Sequence, residues 1–150
     1  MTSPVLPGGV FDGSRHLYAV RVYYEDTDLS GITYHANYLR WFERARSDLL
    51  RMLDIDQRTA IEGGAGAYAV TEIAVKYVQP AKLEDDVVIS TICTELGAAS
   101  VRMEQRATRG DDILAIAEVR AAFLTPEGRP RRQPDSWRSS FREFMEQDAQ

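Results

Sequence analysis

Alternation of apolar and polar positions predicts a sheet in the second half of the chain. Four segments there alternate with a period of two, and the turn residues Pro80, Gly97 and Gly110 separate them. Residues 18–25 alternate in the same way near the start of the sequence. We therefore predict five antiparallel strands, at residues 18–25, 67–78, 87–96, 99–108 and 113–125.

A helical period interrupts this pattern after the first strand. Residues 37–53 carry apolar side chains at spacings of three and four, which predicts one long helix with a broad buried face, formed by Tyr38, Trp41, Phe42, Ala45, Leu49, Met52 and Leu53. A Pro-Asp start and aromatic residues at helical spacing predict a short amphipathic helix at residues 135–147. One strand, one long helix and four further strands indicate an α+β domain whose antiparallel sheet covers the helix.

The remaining segments lack a period. Residues 1–16 hold two prolines and three glycines, so we expect a flexible or loosely docked arm there. Residues 54–65 lose the helical pattern, and Gly63, Gly64 and Gly66 end the segment, so we expect a loop. With 150 residues and 44% hydrophobic content, residues 17–150 are predicted to form a single domain with one core.

Composition excludes several classes of partner. The net charge is −5 and the isoelectric point is about 5.1, which gives no general attraction to nucleic acid or anionic lipid. No segment approaches the ~20 apolar residues of a membrane span, and the first residues lack a basic, apolar leader. The single cysteine, Cys93, cannot form an intramolecular disulfide and is predicted to be a buried, inert thiol. We expect a cytoplasmic protein without nucleic-acid binding or membrane insertion.

Candidate chemistry concentrates between the first strand and the long helix. Glu25, Asp26 and Asp28 place three carboxylates within four residues, and the helix begins soon afterwards. Its unpaired N–H groups and positive dipole end would point towards Asp28 and His35. Acyl transfer needs a nucleophile or base beside such donors, because negative charge develops on the attacked carbonyl oxygen. On spacing alone, a solvated turn or a helix cap is the more common explanation of D-x-D before a helix.

A longer motif favours chemistry over a simple turn. Residues 23–38 read Y-Y-E-D-T-D-x-x-G-x-x-Y-H-x-x-Y, and F-E-R-A-R follows at residues 42–46. This sequence resembles the hotdog-fold acyl-CoA thioesterases of the 4-hydroxybenzoyl-CoA thioesterase type, and within them the bacterial branch associated with the Tol-Pal envelope system. The similarity continues more loosely through residues 70–86 and 105–123. It implies a five-stranded sheet wrapped around a central helix and hydrolysis of an acyl-CoA to a carboxylic acid and coenzyme A.

The resemblance also implies functions for single residues. Asp28 would act on the thioester carbon, by direct attack or as a general base for water. The backbone N–H of His35 would polarise the thioester carbonyl, whereas the imidazole could assist the reaction or simply cap the helix. Gly31 and Tyr34 would contact the substrate, with Gly31 allowing close approach of the backbone. Glu25 and Asp26 are predicted to lie on a solvated face or a subunit contact.

Cofactors and partners follow from the same resemblance. No metal or bound cofactor is required, and the two histidines lack a third ligand at recognisable spacing. The basic cluster Arg129, Arg131 and Arg132 is the local group of cations that could meet the phosphates of coenzyme A. We expect a homodimer or homotetramer with each site at a subunit boundary, and envelope or lipid-synthesis proteins as further partners. The alternative function is a non-catalytic acyl-thioester-binding or scaffold protein on the same fold.

Overall fold

A six-stranded antiparallel sheet packs against a long helix in the computed structural model, which describes residues 1–148. The strand order is β1-β2-β4-β5-β6-β3. The elements in chain order are β1 (Val10–Asp12), β2 (Arg15–Arg21), a 3-10 turn (Tyr24–Asp26), α1 (Asn37–Met52), α2 (Gln57–Glu62), β3 (Ala67–Tyr77), β4 (Asp86–Leu96), β5 (Ser100–Arg109), β6 (Asp112–Leu124) and α3 (Asp135–Met145). None of the helices within residues 1–148 has the length and apolar character that crossing a membrane requires.

The predicted α+β architecture, long helix and C-terminal helix are confirmed, but the predicted number of strands is wrong. The sheet has a sixth strand, β1, which pairs with β2 and lies inside the segment predicted as an arm. Three residues are too few to display alternation. The strand predicted at residues 18–25 also stops early, because β2 ends at Arg21 and a 3-10 turn follows.

A short helix, α2, replaces part of the loop predicted at residues 54–65. Asp56 caps it, since its carboxylate accepts the Thr59 N–H at 3.0 Å and the Thr59 hydroxyl at 2.8 Å. The helix has six residues, fewer than two turns, so its sequence carries no helical period that could have predicted it.

Strand β3 forms an open edge of the sheet. It pairs with β6 alone, although it is 11 residues long. A bulge between Val70 and Glu72 shifts its alternation, and apolar side chains stay exposed on one face, including Val70, Ile73 and Tyr77. An edge of this length with apolar side chains is a surface that proteins usually cover.

Helix α1 supplies the largest side chains of the core. Its apolar stripe packs on the inner faces of β2 and β4, and nearly complete burial is shared by Tyr38, Trp41, Phe42, Ala45 and Leu49. Truncating one of the aromatic side chains to alanine would cost roughly 3–5 kcal/mol of stability. The helix is therefore held on the sheet chiefly by apolar burial.

Gln105 adds directional contacts to this apolar interface. It is fully buried on β5, and its amide N–H groups donate to the Phe42 carbonyl at 2.9 Å and to the Thr91 hydroxyl at 3.0 Å. Its amide oxygen accepts an Arg46 Nη1 hydrogen at 2.9 Å. Two of these partners belong to α1 and one to β4, so the hydrogen bonds of Gln105 fix the position of the helix along the sheet.

A second buried polar contact ties α1 to β2. His16 is fully buried, and its Nε2 lies 2.7 Å from Asp48 Oδ2, which also accepts the Gly9 N–H at 2.9 Å. Nδ1 of His16 has no hydrogen-bond partner among residues 1–148. Burial lowers the pKa of His16, against the opposing effect of Asp48. His16 is therefore neutral at physiological pH, with Nε2–H donating to Asp48.

The buried His16 should make the protein less stable in mild acid. The unfolded state, with a histidine pKa near 6.5, takes up a proton at a higher pH than the folded state. This contribution to stability is therefore complete above pH 6.5 and is lost as the pH falls below that value. Thermal unfolding between pH 7.5 and 5 should show a falling Tm, each ~1 kcal/mol lost lowering it by about 2–4 °C. His16→Gln should flatten the dependence, and an equally steep slope in that variant would contradict the assignment.

Candidate active site

A tight turn presents Asp28 between the 3-10 turn and α1. The Asp28 N–H donates to the Ile32 carbonyl at 3.0 Å, and the Gly31 N–H donates to the Asp28 carbonyl at 3.1 Å. Gly31 has φ +83°, a conformation that residues with a Cβ rarely adopt. Apart from its two chain neighbours, no residue within 1–148 has an atom within 4 Å of where a Gly31 Cβ would sit. The turn therefore needs glycine for its backbone angle, and the chain leaves open space beside it.

The Asp28 carboxylate is exposed and oriented by one neighbour. Its Oδ1 accepts the Ser30 N–H at 2.8 Å and a short hydrogen bond from the Ser30 hydroxyl. Oδ2 has no protein partner among the described residues. Both hydrogen bonds from Ser30 lower the pKa of Asp28, and the bond from the hydroxyl has the larger effect. The charge of nearby His35 lowers this pKa by a smaller amount. At neutral pH, Asp28 is an ionised carboxylate with one oxygen held and the other free.

The start of α1 provides unpaired donors beside this turn. Ala36 is the N-cap residue, and no side chain caps the helix. The N–H groups of His35 and Ala36 have no hydrogen-bond partner within residues 1–148. Both lie at the positive end of the helix dipole, where an anionic oxygen is stabilised. The His35 imidazole makes no capping hydrogen bond to α1 within residues 1–148.

Asp26 holds the turn and the helix start together. Its Oδ2 accepts the Tyr23 N–H at 2.8 Å, and its Oδ1 accepts the Asn37 side-chain N–H at 2.6 Å. Its carbonyl accepts the Tyr34 N–H at 2.8 Å. These three hydrogen bonds give Asp26 a positioning function inside the chain, although it stays partly exposed.

His35 lies exposed among aromatic residues. Its ring centroid is 4.6 Å from that of Tyr34 and 6.2 Å from that of Tyr77. The Tyr77 hydroxyl donates to the His35 carbonyl at 2.7 Å. The sequence did not single out Tyr77, since it follows Asp28 by 49 positions and belongs to no local motif. Only the pairing of β3 brings it to the helix start.

A shallow cavity of about 250 Å³ opens beside these groups. Its walls come from the turn, the start of α1 and the end of β3, and it is lined by Ile32, Thr33, His35, Tyr38, Tyr77, Val78, Gln79 and Pro80. The predicted contact residues Gly31 and Tyr34 are sequence neighbours of lining residues but do not themselves line the cavity. Tyr34 is about half exposed. The cavity has the mostly apolar character of a site for an uncharged part of a ligand.

The predicted arginine cluster lies at the other end of the sheet. It occupies the connection between β6 and α3, where Arg131 Nη1 donates to the Ala65 carbonyl at 2.6 Å and Arg132 pairs with Asp135 at 3.5 Å. Ala67 pairs with Leu124 at this end, whereas Tyr77 pairs with Ala115 at the end near Asp28. Ten residues of strand separate the two ends by about 30 Å. A single chain does not bring the arginines and Asp28 together.

The antiparallel sheet packed against the long helix α1 has the architecture of a hotdog-fold domain. The sequence profile of the thioesterase superfamily matches residues 30–116. This match covers more than half of the chain, which therefore belongs to the thioesterase superfamily. The predicted family is confirmed.

Individual relatives agree with this membership. The acyl-CoA thioesterase YbgC of Haemophilus influenzae is 43% identical over 107 residues, which cover 71% of this chain and 79% of the relative. The acyl-CoA thioester hydrolase YbgC of Escherichia coli is 36% identical over 126 residues, covering 83% and 93%. The crystal structure of a probable thioesterase from Bartonella henselae superposes with a TM-score of 0.76 at 36% identity, covering 80% of this chain and 99% of that one.

Removing the Asp26 carboxylate should destabilise the protein. Asp26→Ala leaves the Asn37 amide and the Tyr23 N–H without their acceptors, and unmet hydrogen bonds of this kind cost about 1–3 kcal/mol. Urea unfolding measures the loss. Glu25→Ala is the matched control, because Glu25 is exposed and has no hydrogen-bond partner within residues 1–148; its change should stay within ~0.5 kcal/mol. Equal stabilities of the two variants would show that Asp26 does not hold the turn.

Proposed function

We propose that this protein hydrolyses the thioester of an acyl-CoA to a carboxylic acid and free coenzyme A. The observation that carries the proposal is the free oxygen of an ionised Asp28 next to the unpaired N–H groups of His35 and Ala36. The relatives named as acyl-CoA thioesterases support the choice of substrate class.

Asp28 acts on the thioester carbon in one of two ways. Its Oδ2 attacks that carbon, the thiolate of coenzyme A leaves and takes up a proton, and water then hydrolyses the acyl anhydride. Alternatively, Asp28 takes a proton from a water molecule as the water attacks. Both routes consume one water and release one acid and one thiol. In both, the carbonyl oxygen becomes negative and is stabilised by the N–H of His35.

Assembly completes the site under this proposal. We infer that β3 pairs antiparallel with β3 of a second copy, because it is a long, exposed edge with apolar side chains. Such pairing sets the Ala67 end of one strand beside the Tyr77 end of the other. Arg129, Arg131 and Arg132 of one copy then lie towards the Asp28 site of its neighbour, where they would bind the phosphates of coenzyme A. A homodimer is the smallest assembly with this property.

A cytoplasmic location belongs to the same proposal. Cys93 is a free cysteine whose burial raises its pKa to about 12, so that the unreactive thiol form dominates. A free thiol is the usual state in a reducing compartment.

The acyl preference is tested directly by thiol release from short-chain, long-chain and aromatic acyl-CoAs.

Asp28→Asn should abolish most turnover and leave binding intact. The amide keeps nearly the shape of the carboxylate but neither attacks the carbonyl nor accepts a proton, and loss of a positioned base costs ~10²–10⁴ in kcat. Affinity for a non-hydrolysable acyl-CoA analogue should change little.

His35→Ala should lose less kcat than Asp28→Asn, because the backbone N–H of residue 35 survives.

Glu25→Gln is the control for Asp28→Asn, since it neutralises an exposed carboxylate three residues away and should leave kcat unchanged. Near-normal kcat in Asp28→Asn would overturn the mechanism. A wild-type protein that binds the analogue but releases no thiol from any acyl-CoA would favour the non-catalytic alternative.

Complementation between two inactive variants tests the composite site. One variant carries Asp28→Asn and the other carries Arg129→Gln, Arg131→Gln and Arg132→Gln. Each mixed dimer has one site with an intact Asp28 from one copy and an intact arginine cluster from the other. Random re-association should therefore restore about a quarter of wild-type activity at low substrate. Light scattering should give at least twice the mass of 16.9 kDa. An active monomer, or no recovery on mixing, would contradict the shared site.

A further inference from the structure

The Tyr77 hydroxyl reaches the peptide that links His35 to Ala36. It donates to the His35 carbonyl at 2.7 Å, across 42 positions of sequence. No other hydrogen bond to this carbonyl is made by a side chain within residues 1–148. The contact therefore joins the end of an edge strand to the first turn of the helix that carries the candidate oxyanion donors.

Holding this carbonyl determines the direction of the next N–H group. A trans peptide is planar, so its C=O and N–H point in opposite directions. A donor fixed on the carbonyl side of the peptide therefore fixes the Ala36 N–H on the opposite side. That N–H is unpaired and lies next to the equally unpaired N–H of His35. Successive N–H groups at a helix start point the same way along the axis.

Tyr77 itself is held in place from two sides. Its backbone pairs with Ala115 of β6, and its ring meets the Tyr38 ring edge-on at 5.5 Å. Tyr38 is almost completely buried, and its hydroxyl oxygen accepts the Ala81 N–H at 3.1 Å. Burial raises the pKa of Tyr77, so its hydroxyl keeps the proton that it donates. The donor is thus anchored to the sheet and to the core beneath the helix start.

We propose that Tyr77 is a positioning residue for the oxyanion site, whose hydroxyl aims the Ala36 N–H at the thioester oxygen as a second donor beside the N–H of His35. This inference rests on the proposed acyl-CoA hydrolysis and adds to it a second donor and the residue that orients that donor. Tyr77 does not touch the reacting atoms. Its effect passes through one peptide group and is realised in the transition state, where the oxygen is negative.

Tyr77→Phe separates positioning from packing. The variant keeps the ring contacts with His35 and Tyr38 and removes only the hydroxyl. Losing an oxyanion donor outright costs ~10²–10³ in kcat, and a misdirected donor should cost less, about 5- to 30-fold. KM and the affinity for a non-hydrolysable acyl-CoA analogue should stay within about twofold, since the ground-state carbonyl gains little from the donor.

Tyr68→Phe is the matched control on the same strand. The Tyr68 hydroxyl also makes one hydrogen bond, to Gln133 at 2.5 Å, in the C-terminal part of the chain. Its loss should lower the Tm without lowering kcat. If Tyr77→Phe behaves in the same way, Tyr77 is merely structural and the inference is wrong.

A spectroscopic measurement tests the hydrogen bond without turnover. With ¹³C at the His35 carbonyl carbon, loss of a hydrogen bond in Tyr77→Phe should shift that resonance, and Tyr68→Phe should leave it in place. An unmoved resonance overturns the inference while leaving hydrolysis by the wild type untouched. A wild-type protein that hydrolyses no acyl-CoA overturns both the proposed function and this extension of it. Wild-type activity with a shifted resonance and a reduced kcat in Tyr77→Phe supports both.

Discussion

The position of α1 on the sheet is the constraint on which the candidate site depends, and Gln105 is the residue that fixes it. Apolar burial holds the helix against the sheet but is non-directional, so it resists separation more than sliding. The hydrogen bonds of Gln105 to the Phe42 carbonyl and to Arg46 can form in one position only. A shifted helix would leave a fully buried amide unpaired, at a cost of about 1–3 kcal/mol. The contact between His16 and Asp48 adds a second fixed point further along the helix.

That constraint matters for function because the proposed oxyanion donors are backbone groups. A side chain can adjust to a small displacement through its rotamers, but the N–H groups of His35 and Ala36 move with the backbone at the start of the helix. Asp26 therefore supports the proposed chemistry although it lies outside it, since it ties the turn that carries Asp28 to Asn37 in the first turn of α1. Residues in the core and in the turn thus contribute to one geometry that no single reactive side chain defines.

Sequence patterns predicted the long elements of this fold well and the short ones poorly. Helix α1 begins at the predicted residue because seven apolar positions repeat with its period, and β4 and β6 match their predicted segments within two residues. Strand β1 and helix α2 have three and six residues, so neither completes enough of a period to be recognised. The bulge in β3 likewise breaks an alternation that the sequence continues without interruption.

The same distinction between local and distant residues applies to the candidate site. Asp28, Gly31 and His35 lie within eight residues, so a local sequence motif was enough to predict them as site residues. The contacts of Tyr77 with His35 and of Gln105 with Phe42 span 42 and 63 positions and depend on which strands become neighbours. Spacing in a sequence does not carry that information. The positioning function of Asp26 was missed for a different reason: its contacts are local, but a carboxylate in a turn looks the same whether it faces solvent or accepts hydrogen bonds.

The candidate site is open to solvent in a single chain, so the proposed chemistry depends on how the edge strand β3 is covered. In a single chain the Asp28 carboxylate is fully exposed, and N–H groups facing bulk water stabilise a developing oxyanion weakly because the dielectric constant is high. Covering the site requires a second surface beside Tyr77, and the uncovered surface nearest to Tyr77 is the edge of β3 itself. Under the proposed antiparallel pairing, the same strand that positions the donors at one end covers the neighbouring site with its other end. Twofold symmetry then produces two equivalent sites from one pair of edge strands. The strand whose backbone groups are unpaired in the isolated chain thus completes the site of the proposed enzyme.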